Sequence, residues 1–186
     1  IVNWIRYIKS DAEIAFMQEG AKLVQAGMQT AYNEIKPGVK QSYVAGKIQQ
    51  TLLAGNDQTQ IGGEYSGLNI ILASGKSASA SHLTPTDKTF KDNEGTIIEL
   101  GGVKHRYHCA LSRTVYIGKP DNKIDETLKI TNEGVEKAIE STKPGNTCHD
   151  VAVAFWSVLE KYGLEKESRC GYSIGLGYPP DWGEHT

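Results

Sequence analysis

Cysteine is scarce in this chain and shows no pairing pattern. The 186 residues hold three, Cys109, Cys148 and Cys170, far apart and without CxxC spacing. An odd, scattered count argues against a disulfide framework and for a reducing, cytoplasmic compartment with the thiols as small buried groups. Long apolar runs are missing too. No stretch approaches the roughly 20 residues of a membrane span, and none has the charged-then-apolar pattern of a signal peptide. Basic runs are short and the formal net charge is −2. Nucleic acid and anionic membranes are therefore not expected partners.

What remains is the composition of an ordinary globular domain, 39% hydrophobic and 23% charged, long enough for one core. The chain starts at Ile1 and stops at Gly183-Glu184-His185-Thr186. With neither an initiating Met nor a closing signal, it is expected to be a piece of a longer protein.

Ser10-Asp11-Ala12-Glu13 is a capping box that predicts a helix start. Ile14, Met17, Ala21, Val24, Met28 and Ala31 then recur at steps of three and four, as a buried stripe does. Pro37-Gly38 ends that element, and a second helix is expected over Gln41–Leu53 with Gly55 as its stop. A short strand over Leu68–Ala73 leads into a polar loop, Ser74–Lys88, that carries His82. Helices are expected again over Asp121–Ser141, with Ile124, Leu128, Val135 and Ala138 on one face, and after the capping box Thr147-Cys148-His149-Asp150. A last short strand, Gly171–Leu176, is broken by Tyr178-Pro179-Pro180-Asp181.

This order contains a repeat. Lys36-Pro37-Gly38 matches Lys143-Pro144-Gly145, and the same register carries Val44 onto Val151, Ile48 onto Phe155 and Leu52 onto Leu159. Chance recurrence of Lys-Pro-Gly before two ordinary helices is the competing explanation. As a repeat, it is a helix–helix–strand unit used twice, which predicts a pseudo-twofold α+β domain whose second half is truncated.

Between the copies lies Glu94–Gly118, which reads as a β-hairpin. Its arms are expected at Thr96–Leu100 and Tyr107–Ile117, with the turn through Gly101-Gly102 and Lys104-His105-Arg106. Strand alternation puts Tyr107, Cys109, Leu111, Val115 and Ile117 on one face and His108, Ala110, Ser112, Thr114 and Tyr116 on the other. A symmetric hairpin would set Glu99 opposite Ala110, with the polar face looking into a pocket. A carboxylate opposite a second carboxylate can hold a metal pair; a carboxylate opposite an alanine cannot.

Five stretches, IRYIKSDAEIAFM, IKPGV, ILASGKSASASH, EGTIIELGGVKHRYHCALSRTV and GYSIGLGYPP, run in this order from Ile5 to Pro180. Together they resemble the creatinase/aminopeptidase P/methionine aminopeptidase superfamily. The resemblance implies the pita-bread fold, two helical and antiparallel halves around one pocket, and a homodimer. It also implies that residues 1–186 are one incomplete catalytic domain, with an N-terminal domain ending near Ile1 and closing strands with two acidic residues beyond Thr186. The peptidases of that superfamily hold two metals through Asp, Asp, His, Glu and Glu. Carried over position by position, the first Asp falls on Glu99, the second on Ala110 and the His on Tyr172. Alanine offers no ligand and a neutral phenol is a poor one, so no metal or other cofactor is expected.

His82 matches the superfamily's catalytic histidine. That pattern belongs to the creatinase-like members, which hydrolyse non-peptide C–N bonds without metal. ELGGVKHRYHCALSRTVY and GYSIGLGYPPDWGE look most like the ectoine hydrolase subgroup among them. The implied substrate is a small cationic amidine or guanidine, with His82 and Glu99 as the catalytic pair. His108 and Tyr172 are candidate substrate contacts; an ordinary strand histidine and a core tyrosine are the plainer readings. Arg113 is expected in a structural ion pair, with His105 on the surface and His149 in a helix turn. Two other readings stand beside this one: an Xaa-Pro metallopeptidase with unusual ligands, and a non-catalytic pita-bread domain that binds a partner.

Overall fold

Serine 10 starts the longest helix as its capping box requires. In the computed structural model, which describes residues 2–57, 59–67, 69–178 and 181–184 and the backbone of 182, Ser10 Oγ accepts the Glu13 N–H while the Glu13 carboxylate accepts the Ser10 N–H at 2.7 Å. Helix α2 runs Asp11–Glu34 from this cap, preceded by a short helix α1, Val2–Tyr7, that the periodicity does not announce. Helix α3 follows at Gln41–Ala54 and stops at Gly55 (φ 73°). Two further helices, α4 at Asn122–Ser141 and α5 at Cys148–Lys161, start at Asp121 and at the Thr147/Asp150 capping box. None of the described helices is long and apolar enough to cross a membrane.

The strands are β1 (Ile71–Ser74), β2 (Glu94–Lys104), β3 (Tyr107–Ile117), β4 (Ile174–Tyr178) and β5 (Asp181–Gly183). They form one antiparallel sheet in the order β1-β2-β3-β4-β5. The strand expected over Leu68–Ala73 is shorter and later than predicted, and Leu68 lies outside the described residues, as do Pro179 and Pro180. The polar loop after β1 opens with a 3-10 turn, Gly75–Ser79.

The chain divides into two compact units, Ile1–Lys119 with Ser173–Thr186, and Pro120–Tyr172. In the first, α2 and α3 cover one face of the sheet. Val24, Met28, Ala31, Val44, Ile48 and Leu52 from the helices meet Leu72, Ile98 and Leu100 from the strands. Burying an aliphatic side chain of this size is worth about 1.5–3 kcal/mol, so this contact dominates the unit. Ile14, expected in the buried stripe, is instead exposed near the start of α2. Glu184, just past β5, is buried and pairs with Arg6 (3.2 Å) and Lys9 (2.6 Å), which ties down the α1 segment.

The second unit is α4, α5 and the segment that follows. Phe155, Val158 and Leu159 are buried in it, whereas Ile124 and Val135, on the expected apolar face of α4, are exposed. Cys148 is exposed at the first position of α5 and Cys109 is half-buried, so the thiols are not uniformly interior. The repeat is visible in the backbone. Gly38 (φ 83°) and Gly145 (φ 96°) both make left-handed turns ahead of α3 and α5; the helix that follows buries Val44, Ile48 and Leu52 in the first copy and Phe155 and Leu159 in the second, where Val151 is half-buried.

The Glu13 carboxyl does more than cap. It accepts the Tyr107 hydroxyl at 2.7 Å, so it joins the start of α2 to the start of β3. The Ser10 N–H, then the Tyr107 and Ser10 hydroxyls, lower its pKa from 4.5 to about 2. A carboxyl depressed on folding contributes stability that is present above its unfolded pKa and lost as pH falls through the folded one. The stability gap between the wild type and Glu13→Gln should therefore be widest above about pH 4.5 and close toward pH 2. Urea denaturation across that range checks it; a gap that does not close contradicts it.

Candidate active site on the central hairpin

The β2–β3 hairpin turns on two residues only. His105 (φ 49°) and Arg106 (φ 66°) are both left-handed, as a type I′ turn requires. Neither is glycine or asparagine, so this backbone needs support. Glu64 supplies it: its carboxylate accepts the His105 N–H at 2.9 Å and the Arg106 N–H at 3.2 Å, and lies 3.4 Å from His105 Nδ1.

This turn corrects the expected register. Glu99 lies opposite Ser112, not Ala110, and Ala110 lies opposite Gly101. Gly101 and Gly102 are strand residues, and Gly102 is needed there because the backbone of Gly20 on α2 packs directly against it. The expected pairing is displaced by two residues. Because side chains alternate with period 2, an even displacement leaves every residue on its assigned face.

Tyr107, Cys109, Leu111, Val115 and Ile117 share the helix-covered side, and the last four pack on the core or its margin. The opposite side carries Ile97, Glu99, Gly101 and Val103 from β2, with His108, Ala110, Ser112, Thr114 and Tyr116 from β3. Glu99 is the one carboxylate on this side of β1–β3. Glu99 and Ala110 are half-buried, whereas Ser112 and Thr114 are exposed, so this stretch is an open strip and not an enclosed pocket. Ser112 Oγ donates to the Ile98 carbonyl at 3.2 Å. A single carboxylate flanked by alanine, glycine and serine does not fit a divalent metal pair, which needs several charged donors on one point. Among the described residues no three His, Cys, Asp or Glu side chains gather as a metal site.

His82 sits in an exposed turn beyond β1, with φ 60°. A left-handed non-glycine residue is uncommon, though histidine is among the types enriched there. Among the described residues neither the His82 nor the Glu99 side chain has a hydrogen-bond or ion-pair partner, and the structure does not join them to each other. Tyr172 belongs to the second unit, where the Arg169 guanidinium lies 4.4 Å from its ring. His108 is wholly buried, so it is not a surface contact of this chain.

Arg113 makes no ion pair among the described residues; it donates to the Ser112 carbonyl at 2.7 Å. His105 is exposed, and His149 lies in the first turn of α5, as expected. A shallow depression bordered by Ala45, Gly46, Gln49, Asn69, Thr84 and Pro85 includes neither His82 nor Glu99. The roles of Glu64 and Tyr65 at the hairpin tip are absent from the sequence reading, because they act across some 40 residues with no local pattern.

The sequence pattern of metallopeptidase family M24 matches residues 15–183. The chain is 41% identical to the ectoine hydrolase of Halomonas elongata, over all of this chain and 48% of that protein. The crystal structure of the prolidase from Pyrococcus horikoshii superposes with a TM-score of 0.79 at 28% identity, covering 87% of this chain and 45% of that one. The Xaa-Pro dipeptidase from Bacillus anthracis superposes with a TM-score of 0.85 at 24% identity, covering 94% and 48%, which speaks to the fold alone. This chain thus spans about half the length of the relatives it matches. These likenesses give its mixed helical and antiparallel architecture as that of the pita-bread fold.

Proposed function

The chain belongs to metallopeptidase family M24, and from that premise we propose that it is part of a C–N hydrolase that works without metal on a small cationic amidine or guanidine. The observation that carries this reading is the donor set on the open side of the hairpin. Glu99 is the one carboxylate on that side of β1–β3, with Ser112 opposite and Ala110 on the same side. Such a strip is negative and uncrowded. A planar cation with N–H donors matches a single carboxylate in both charge and geometry. Likeness to an ectoine hydrolase supports the same class.

In this reading Glu99 binds the amidinium and leaves its central carbon exposed to water. His82 takes a proton from the attacking water. The C–O bond forms, the C–N bond breaks, and His82 returns the proton to the departing nitrogen. Histidine suits both halves because its unperturbed pKa lies near 6.5. A substrate contact through the Tyr172 hydroxyl, implied by the resemblance, belongs to the same reading. The homodimer implied by the resemblance remains part of the proposal.

The second reading is an Xaa-Pro peptidase that takes metal ligands from elsewhere in the protein, favoured by the superposition on a prolidase. The two separate cleanly. The full-length protein, treated with a chelator and then assayed with ectoine, creatine and an Xaa-Pro dipeptide, is expected to keep its activity on a cationic compound. Xaa-Pro cleavage that disappears on chelation and returns with manganese, cobalt or zinc would instead establish the peptidase.

A further inference from the structure

The tip of the hairpin is closed by one buried histidine. The Arg106 carbonyl accepts two hydrogen bonds, from the Gly177 N–H at 3.0 Å and from His108 Nδ1 at 3.0 Å. A carbonyl can only accept, so Nδ1 carries the proton and Nε2 of the neutral ring is bare. Nε2 is buried and has no partner in hydrogen-bonding geometry among the described residues. The ring is 0% exposed. Glycines press on it from two sides: a methyl group on Gly67 would come within 2.8 Å of the ring, and one on Gly177 within 3.1 Å. The Tyr65 ring lies 6.0 Å away, and its hydroxyl donates to the Gly177 carbonyl at 3.4 Å.

Among the described residues little else holds β4 to β3. Their ladder is a single residue pair, Tyr107 with Leu176. Arg6 adds a bond to the Leu176 carbonyl, and the Arg106 guanidinium lies 5.6 Å from the Tyr178 ring. The imidazole thus sits where the hairpin tip, the segment around Tyr65–Gly67 and β4 converge.

We propose that His108 is an acid-operated clasp: the neutral ring pins β4 to the hairpin tip, and its protonation releases the strand. The cation would carry a second N–H, at Nε2, which among the described residues meets no acceptor in hydrogen-bonding geometry. A buried donor without a partner is costly and a buried charge more so. Lifting β4 away gives both to solvent. The charged and titratable neighbours do not remove this cost. Glu64 is engaged by the turn amides, Glu184 by Arg6 and Lys9, and Asp181 accepts the Gly183 N–H. Arg106 is itself cationic, and Tyr65 and Tyr178 are neutral phenols.

Burial pushes the His108 pKa below 6.5 more strongly than the Arg106 and Gly175 carbonyls and Asp181 raise it. A group held neutral in the closed state takes up a proton on opening, so opening becomes easier as pH falls below about 6.5. The inference does not depend on the reaction proposed above.

Amide hydrogen exchange at Gly177, corrected for the intrinsic acid dependence of exchange, reads the clasp directly. Its protection should fall by about tenfold per pH unit below the ordinary histidine pKa, the slope of one proton, while Ile98 in β2 holds its protection. In His108→Gln, whose side-chain amide can still donate to the Arg106 carbonyl but does not titrate, Gly177 protection should be flat with pH. Constant protection in the wild type overturns the clasp, and so does an acid loss that persists in His108→Gln. Should that variant not fold, the wild-type ring resonances serve: a His108 titration that does not coincide with the Gly177 opening overturns it as well.

Discussion

Turnover of a cationic amidine by the full-length protein is expected to fall about 10²- to 10⁴-fold when His82 is replaced by asparagine, the usual range for one general acid–base group. The loss should appear in kcat with little change in KM, because His82 is proposed to act on water and the leaving nitrogen and not on the bound cation. Asparagine is the better replacement because it tolerates the left-handed backbone that His82 adopts (φ 60°). Alanine is less tolerant of that backbone, so its added strain would blur the result. The site is exposed and its side chain has no partner among the described residues, so thermal stability should stay within about 0.5 kcal/mol of the wild type. Unchanged kcat would remove His82 from the mechanism without touching the fold.

The largest effect on stability is expected at Gly102. A methyl group there would run into the Gly20 carbonyl and come within 2.8 Å of the Val24 N–H, both backbone atoms of α2. Backbone cannot swing aside as a side chain does, so relief requires β2 to move off α2 across the main core. Overpacking commonly costs about 1–3 kcal/mol and more where nothing can yield. Gly102→Ala should therefore cost about 3 kcal/mol or more, a fall in Tm of roughly 6–12 °C for a chain of this size. Gly46→Ala is the matched control. That glycine is exposed in the middle of α3 with nothing within 4 Å of an added methyl group. It should gain up to about 1 kcal/mol from helix propensity and a stiffer unfolded chain. Calorimetry on the two variants should give shifts of opposite sign; a Gly102→Ala protein as stable as the wild type would mean that α2 and β2 are not locked as described.

Local chemistry made much of this architecture readable. The capping boxes at Ser10 and Thr147 and the left-handed Gly38 and Gly145 act within a few residues, so the sequence alone located α2 to α5 and exposed the repeat. Strand alternation put Glu99 and Ala110 on one face even though the turn was misplaced, because an even displacement preserves sides. The same face assignment carried the central chemical point, that no second carboxylate stands beside Glu99 on the hairpin.

Tertiary structure decided what depends on distant partners. Gly101-Gly102 has the composition of a turn, but Gly102 lies in a strand because α2 must approach there. His105-Arg106 lacks the usual turn residues, but it turns because Glu64 holds both amides. His108 is indistinguishable in sequence from a surface strand histidine, and only the closure of Gly67 and Gly177 around it makes it a buried group. The sequence by itself determined where α2 to α5 lie, which side each residue of the hairpin faces and that one carboxylate stands on its open side, since these follow from backbone geometry and residue type. Register, burial and the clasp at the hairpin tip came only from the folded chain, because each is set by groups 40 or more residues away whose approach leaves no periodic trace.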